Sequence, residues 1–197
     1  MMRDYWDVAI IVYLSIATLS LIPTLLAILR KVKLNPDGDG YDKSPHFNDE
    51  EKERLKQHYS RIAGTLFYWK NQSEKYRTFK NYSIFWTIIV SICIPIISQL
   101  IGKGHSNWFL TIMSTHAALI LGIYSRLKVE KNYQSFRLAE SEFYDLRREL
   151  LDTPLKLATS GEQISNFFEK VGTLRKNARK SEIDNTPTIE DTKDKKQ

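Results

Sequence analysis

The chain has 197 residues, 29 Lys and Arg against 23 Asp and Glu, and a net charge of +6. Its pI near 9.3 and mean hydropathy of -0.37 resemble those of a soluble basic protein. The arrangement of the residues excludes that reading: three uncharged stretches of bilayer length stand between strongly charged segments, and the basic residues cluster at the ends of those stretches.

Val8 to Leu29 contains no charged residue. A span needs ~20 mostly apolar residues to cross a hydrocarbon core of ~30 Å. The flank MMRDYWD sets Asp4 and Asp7 against Arg3, the apolar run is long, and no small-x-small cleavage site precedes the basic flank. Residues 1–30 are therefore expected to be a retained anchor, not a cleaved leader. Pro23 is expected to kink it. Residues 31–47 include LNPDGDGYDKSPHF, a turn-rich linker with no period. Asp37, Asp39 and Asp42 superficially suggest a calcium loop. Tyr41 and Asn48 occupy the fifth and twelfth positions, where that loop needs carboxylates. A connector is the better reading.

Asn48 with Glu51 has the form of a capping box and predicts a helix start. Leu55, Tyr59, Ile62, Leu66, Trp69 and Tyr76 then recur at steps of three and four, the spacing of one helix face, with Ser73 as a weak position. Nothing breaks the helix before the second uncharged stretch, Asn81 to Gly102. One helix over about 48–101 would be ~80 Å long, so half of it would leave the bilayer. Pro95 is a second expected kink.

The turn GKGHSN leads into Gly104 to Ser125, uncharged apart from two histidines. No breaker follows before Pro154, and Val129, Tyr133, Phe136, Phe143, Leu146 and Leu150 form another apolar stripe. The expected fold is an all-α membrane protein with three transmembrane helices. The second and third, about 81–102 and 104–125, form a long antiparallel hairpin over 48–152 that extends into the cytoplasm. Ser160-Gly-Glu-Gln163 caps a short amphipathic helix over 160–180, which either packs on the hairpin or lies on the membrane surface. Residues 181–197 are polar without apolar period and are expected to be disordered.

Arg30, Lys31 and Lys33 follow the first span; Lys75, Arg77 and Lys80 precede the second; Arg126, Lys128 and Lys131 follow the third. The opposite ends carry only Arg3 and Lys103. This asymmetry predicts an N-terminus outside and both arms inside, with anionic headgroups attracting the basic flanks. It argues against nucleic acid as the partner. Tyr5, Trp6, Tyr82, Trp86, Trp108 and Tyr124 read as interfacial belts.

Each span carries small residues on one face: Ala17, Ser20, Thr24 and Ala27; Thr87, Ser91, Pro95 and Ser98; Thr111, Thr115, Ala118 and Gly122. Close backbone approach holds helices together in lipid. These seams either pack the three spans on one another or also join copies into a homo-oligomer. His116 falls near mid-depth, about 100° around the helix from Thr115. It is a candidate pore or gating residue with Ser114. The alternative is a neutral imidazole bonded to a neighbouring span.

The single cysteine, Cys93, excludes an intramolecular disulfide and a cysteine-type zinc site. No GxSxG, Walker loop or HExxH is present, the four histidines are scattered, and no carboxylate lies in any span to orient a triad. The chain is expected to be no enzyme and to use no cofactor or metal.

The arms carry further features. Arg61, Tyr68-Trp69 and Tyr76-Arg77 precede the second span, and Tyr133, Phe136-Arg137, Ala139 and FYDLRREL at 143–150 follow the third. Residues 48–152 with these motifs resemble the SLATT family of bacterial membrane effectors of anti-phage and conflict systems. The chain departs from that pattern in its extra first span and in lacking a fused sensor. The resemblance implies an antiviral defense effector that oligomerises to form or gate a pore, triggered by a sensor or signal-producing protein in trans or by a nucleotide second messenger. It implies arm contacts at Arg61, Trp69, Arg77, Phe136, Arg137 and Phe143. The competing reading is a non-catalytic membrane-anchored adaptor whose arms dock a partner.

Overall fold

The computed structural model describes residues 5–31, 40–99, 106–152 and 160–185. Those residues form five helices: α1 (Tyr5–Leu29), α2 (Asp49–Gln99), α3 (Ser106–Arg126), α4 (Val129–Asp152) and α5 (Ser160–Asn185), with no strand among them. α1, α2 and α3 are each long and apolar enough to cross a membrane. α1 and α2 continue through Pro23 and Pro95. The chain divides into two compact units, Met1–Arg30 with Glu74–Glu130 and Lys31–Ser73 with Lys131–Gln197.

The first unit packs α1, the second half of α2 and α3. Trp6 meets Phe109 at 5.8 Å between ring centres and Tyr13 meets His116 at 5.6 Å, so α1 and α3 run parallel. α2 opposes both. Trp86 lies against Tyr13, while Tyr76 and Phe79, further back on α2, share a cavity of about 220 Å³ with Thr24, Ile28, Ile123 and Leu127 at the far ends of α1 and α3. The core consists of Tyr13, Ala17, Tyr82, Trp86, Val90, Phe109, Met113 and Ile120. Leu19, Ile88 and Leu119 point outward, each more than half exposed, as lipid-facing side chains do.

One break was not legible. The sequence predicts helix straight through from the third span to Pro154, yet α3 ends at Arg126 and α4 begins at Val129. Lys128 takes φ 43°, a left-handed conformation that costs a residue with a Cβ on the order of 1–3 kcal/mol. Nearby contacts offset this cost. Lys80 Nζ pairs with Glu130 at 2.7 Å, and the Tyr124 hydroxyl donates to the same carboxylate at 3.3 Å. Both fasten the first turn of α4.

The second unit packs the first half of α2, α4 and α5. The capping box is complete: Glu51 N–H donates to Asn48 Oδ1 at 2.8 Å, and Asn48 N–H donates to Glu51 Oε2 at 3.0 Å. Two orphan amides at the helix start are thereby satisfied. Tyr59 meets Phe143 and Tyr68 meets Phe136, so α2 and α4 run antiparallel here. Leu55, Ile62, Leu66 and Trp69 face Phe136, Phe143 and Leu150 in one buried core. Ile164, Phe167, Val171, Leu174 and Ala178 of α5 are buried as well, with Phe167 against Phe143. α5 therefore packs on the arms, and it runs to Asn185, five residues into the segment expected to be disordered; 186–197 lie outside the described residues.

The linker is more than a connector where it is described. Tyr41 and Phe47 are buried, Asp42 pairs with Lys56 at 2.6 Å, and the Arg147 guanidinium lies over the rings of Tyr41 and Tyr59. A Cβ at Gly40 would stand 3.0 Å from an Arg147 nitrogen, so a larger residue there would press on the end of the guanidinium. Asp37 and Asp39 lie outside the described residues.

Candidate functional site

The most organised polar constellation is in the middle of the first unit. α1 presents Tyr13, α2 presents Tyr82 and Trp86, and α3 presents His116. The Tyr13 hydroxyl is 2.7 Å from His116 Nδ1, and the Tyr82 hydroxyl is 3.0 Å from Nε2. A neutral imidazole has one N–H donor and one acceptor nitrogen. One tyrosine therefore accepts a hydrogen bond from the ring and the other donates to it. Both ring nitrogens are satisfied, and the three helices are tied through one side chain. Trp86 packs 5.3 Å from the imidazole at a steep angle, while its Nε1–H donates to Ser20 Oγ at 2.8 Å. Ser20 in turn donates to the Ala17 carbonyl at 3.0 Å. The chain of bonds is continuous from Ala17 to Trp86, and from Tyr13 through His116 to Tyr82.

Chemically this cluster can relay a proton between two hydroxyls or clasp three helices. Its hydroxyls are phenols of tyrosine, and the imidazole is oriented by those two phenols where a catalytic triad uses a carboxylate. Among the described residues no group of His, Cys, Asp or Glu is arranged to hold a metal ion.

His116 and Ser114 were expected to share an unpacked face. The structure separates them: His116 is half-buried and turned into the bundle, and Ser114 is exposed. Two residues along a helix amount to ~200° of rotation, so both cannot face one side. The small-residue seams separate as well. Ala17 and Thr24 are buried and Ser20 is half-buried, so the first seam packs inward. Ser91, Ser98, Thr111, Thr115 and Gly122 are all exposed, and nothing stands within 4 Å of a Cβ added at Gly122. Apart from the half-buried Thr87, the second and third seams face away from the bundle. Their hydroxyls bond within their own helix where a bond is formed, as Ser98 to the Pro95 carbonyl and Thr111 to the Asn107 carbonyl, both 2.8 Å.

The large aromatics took the place of those seams. Tyr82 and Trp86 read as interfacial belt residues, yet both are buried in the core. Tyr13 was missed altogether. Its signature was available: it is the only tyrosine well inside the first span, a polar tip with no reason to be there unless it meets a partner.

Of the arm residues, Trp69, Phe136 and Phe143 are buried in the second unit. Arg61 is exposed, Arg77 is paired with Glu74 at 2.7 Å, and Arg137 is paired with Glu140 at 3.0 Å. The arginines thus lie on the surface and the aromatics supply the core. His58 stacks on Phe168 at 4.1 Å, and burial, then the charges of Arg175 and Arg61, hold its pKa below the usual value. No protein-family model, no curated protein and no solved structure matches this chain.

Proposed function

We propose that the chain is a bacterial membrane effector whose copies associate through their spans and compromise the inner membrane when triggered, as the resemblance to SLATT proteins implies. The observation that carries this reading is the outward placement of the second and third seams. The core of a single bundle is filled by Tyr82, Trp86, Phe109 and Met113. In this reading the conducting path forms between copies. Ser91, Ser98, Thr111, Thr115 and Gly122 are small residues exposed on the spans, the kind that permits helices to approach in lipid. Thr and Ser hydroxyls on such a face would also line a path once copies meet.

The charges at the ends of the bundle support an orientation. Because α1 and α3 run parallel and α2 opposes them, Arg30, Lys75, Lys80, Arg126 and Lys128 gather at one end of the first unit. By the positive-inside rule that end is cytoplasmic and the N-terminus is outside. A cysteine placed at the exposed Asn107 should then react with an impermeant thiol reagent from outside, and one at Ser181 should not. The trigger is a partner protein or a nucleotide signal acting on the second unit, and the protein is not an enzyme. Producing the chain with its trigger and following membrane potential tests the effector reading directly. Retained potential would leave the adaptor reading in its place, for which the exposure of Leu138 and Ile183 is the observation in favour.

A further inference from the structure

The second unit holds a cleft of about 250 Å³ between α2 and α5, lined by Gly64, Thr65, Tyr68, Trp69, Arg175, Arg179 and Glu182. Arg175 and Arg179 are one helical turn apart on α5, so their side chains project to the same face. Neither makes an ion pair among the described residues. Arg61, on the same stretch of α2, is also without one. The charges of both it and Arg175 act on His58, which stacks on Phe168. Within the cleft two guanidinium groups stand against a single carboxylate, so the site keeps a net positive charge that an anion would offset. The one acid in the cleft, Glu182, accepts a hydrogen bond from the Tyr68 hydroxyl and closes one end.

We propose that this cleft is an anion site that binds the phosphate group of a phosphomonoester or diphosphate ligand, with Arg175 and Arg179 as its forks. Guanidinium donors are arranged in a planar fork that matches phosphate oxygens two at a time. Two forks one turn apart can hold a tetrahedral group with three free oxygens better than a planar carboxylate. Thr65 adds a hydroxyl donor, and Gly64 leaves the α2 backbone bare, with nothing within 4 Å of where its Cβ would be. The cleft is smaller than the ~300–1,000 Å³ of pockets that enclose a whole drug-sized ligand. It takes the phosphate end, and the remainder of the ligand would lie along the ring of Tyr68, which is 39% exposed.

The site is defined without reference to membrane damage, so its test reads binding and not leakage. Full-length chain in phosphatidylcholine nanodiscs is titrated with inorganic pyrophosphate, ATP and citrate by calorimetry. Saturable pyrophosphate binding is expected, with citrate weaker. The double variant R175Q/R179Q should lose roughly tenfold or more in affinity, since it removes both charged forks and their bidentate hydrogen bonds. Glu182→Gln, which removes the repelling carboxylate and leaves both forks, should tighten binding. ATP binding more tightly than pyrophosphate would assign stacking on Tyr68 to a soluble ligand. Loss of pyrophosphate binding when phosphatidic acid is built into the nanodisc would assign the phosphate to a lipid headgroup. No saturable pyrophosphate binding, unchanged affinity in R175Q/R179Q, or citrate binding as tightly as pyrophosphate would overturn the proposal.

Discussion

The two units solve the same packing problem, three helices around a core, in opposite solvents. In the second unit the helical period picked out much of the apolar core, namely Leu55, Ile62, Leu66, Trp69, Phe136, Phe143 and Leu150, while the buried Asn132, Glu140 and Arg147 lie outside it. Among its described residues the exposed large apolar side chains are Tyr68, Leu138 and Ile183. In the first unit apolar residues cover the outside, and the interior holds the hydrogen-bonded set Tyr13, Ser20, Tyr82, Trp86 and His116. Water rewards burying apolar surface, so periodicity sorts inside from outside. Lipid offers no such reward, and polar groups go inward because they have nowhere else to bond.

The sharpest way to break this contrast is to truncate the water-facing unit's core. Phe143 is fully buried and touches Tyr59, Tyr144 and Phe167. Phe143→Ala should cost ~3–5 kcal/mol, read by denaturant unfolding in mild detergent. Trp69→Ala should fall in the same range. A cost under ~1 kcal/mol for both would mean that the stripe does not hold the unit together.

Tyr41 gives the next effect. Burial, opposed by the charge of Arg147, pushes its phenol up to about 12 from the usual 10.0. The folded state thus holds a proton that the unfolded chain releases earlier. Its contribution is complete below pH ~10, declines as pH rises, and is gone at ~12, a total on the order of 2–3 kcal/mol. Tyr41→Phe should flatten that part of the stability profile. An unchanged alkaline slope in the variant would show that the ring is not buried as described.

The lipid-facing unit should respond less to losing its polar cluster. His116→Leu leaves the Tyr13 and Tyr82 hydroxyls without their partner. Such bonds average ~0.6 kcal/mol in membrane proteins and reach ~1.7. A total near 1–2 kcal/mol is expected by thermal unfolding in micelles, with expression retained. A loss as large as that of Phe143→Ala would erase the distinction between the units. Asn48→Ala, which removes half of the capping box, should cost ~1 kcal/mol.

The legible parts follow the same division. The Asn48 to Glu51 box and the arm stripes were readable because capping and amphipathic period are local. So were the three spans, by length and charge alone. The turn at Leu127 and Lys128 was not, since the residues there include no Gly, Pro or Asn. It is fastened by Lys80, 50 positions before Glu130. The extension of α5 past Lys180 likewise rests on Glu182 reaching Tyr68, 114 positions away. The His116 cluster was half legible. A histidine at mid-depth announced a partner, but in a wholly apolar helix no period says which face is inward, so Tyr13, Tyr82 and Trp86 could not be assigned to it.

The smallest effect on the isolated chain should come from the outward seam, and it is the most telling for assembly. Gly122 is exposed and open around its missing Cβ. Gly122→Leu should leave unfolding of the single bundle within ~0.5 kcal/mol, the usual range for surface changes. The same leucine would stand between two helices meeting along Thr111, Thr115 and Gly122, and close approach of backbones is what holds helices together in lipid. Cross-linking between copies through cysteines at Thr115 should therefore fall sharply in the Gly122→Leu background, while His116→Leu, on the inward face, should leave it unchanged. The reverse ranking would put the contact between copies on the inward face and remove the reason for the seam. Stability and assembly would then respond to the same residues, and the exposed small side chains of α3 would be lipid-facing surface alone.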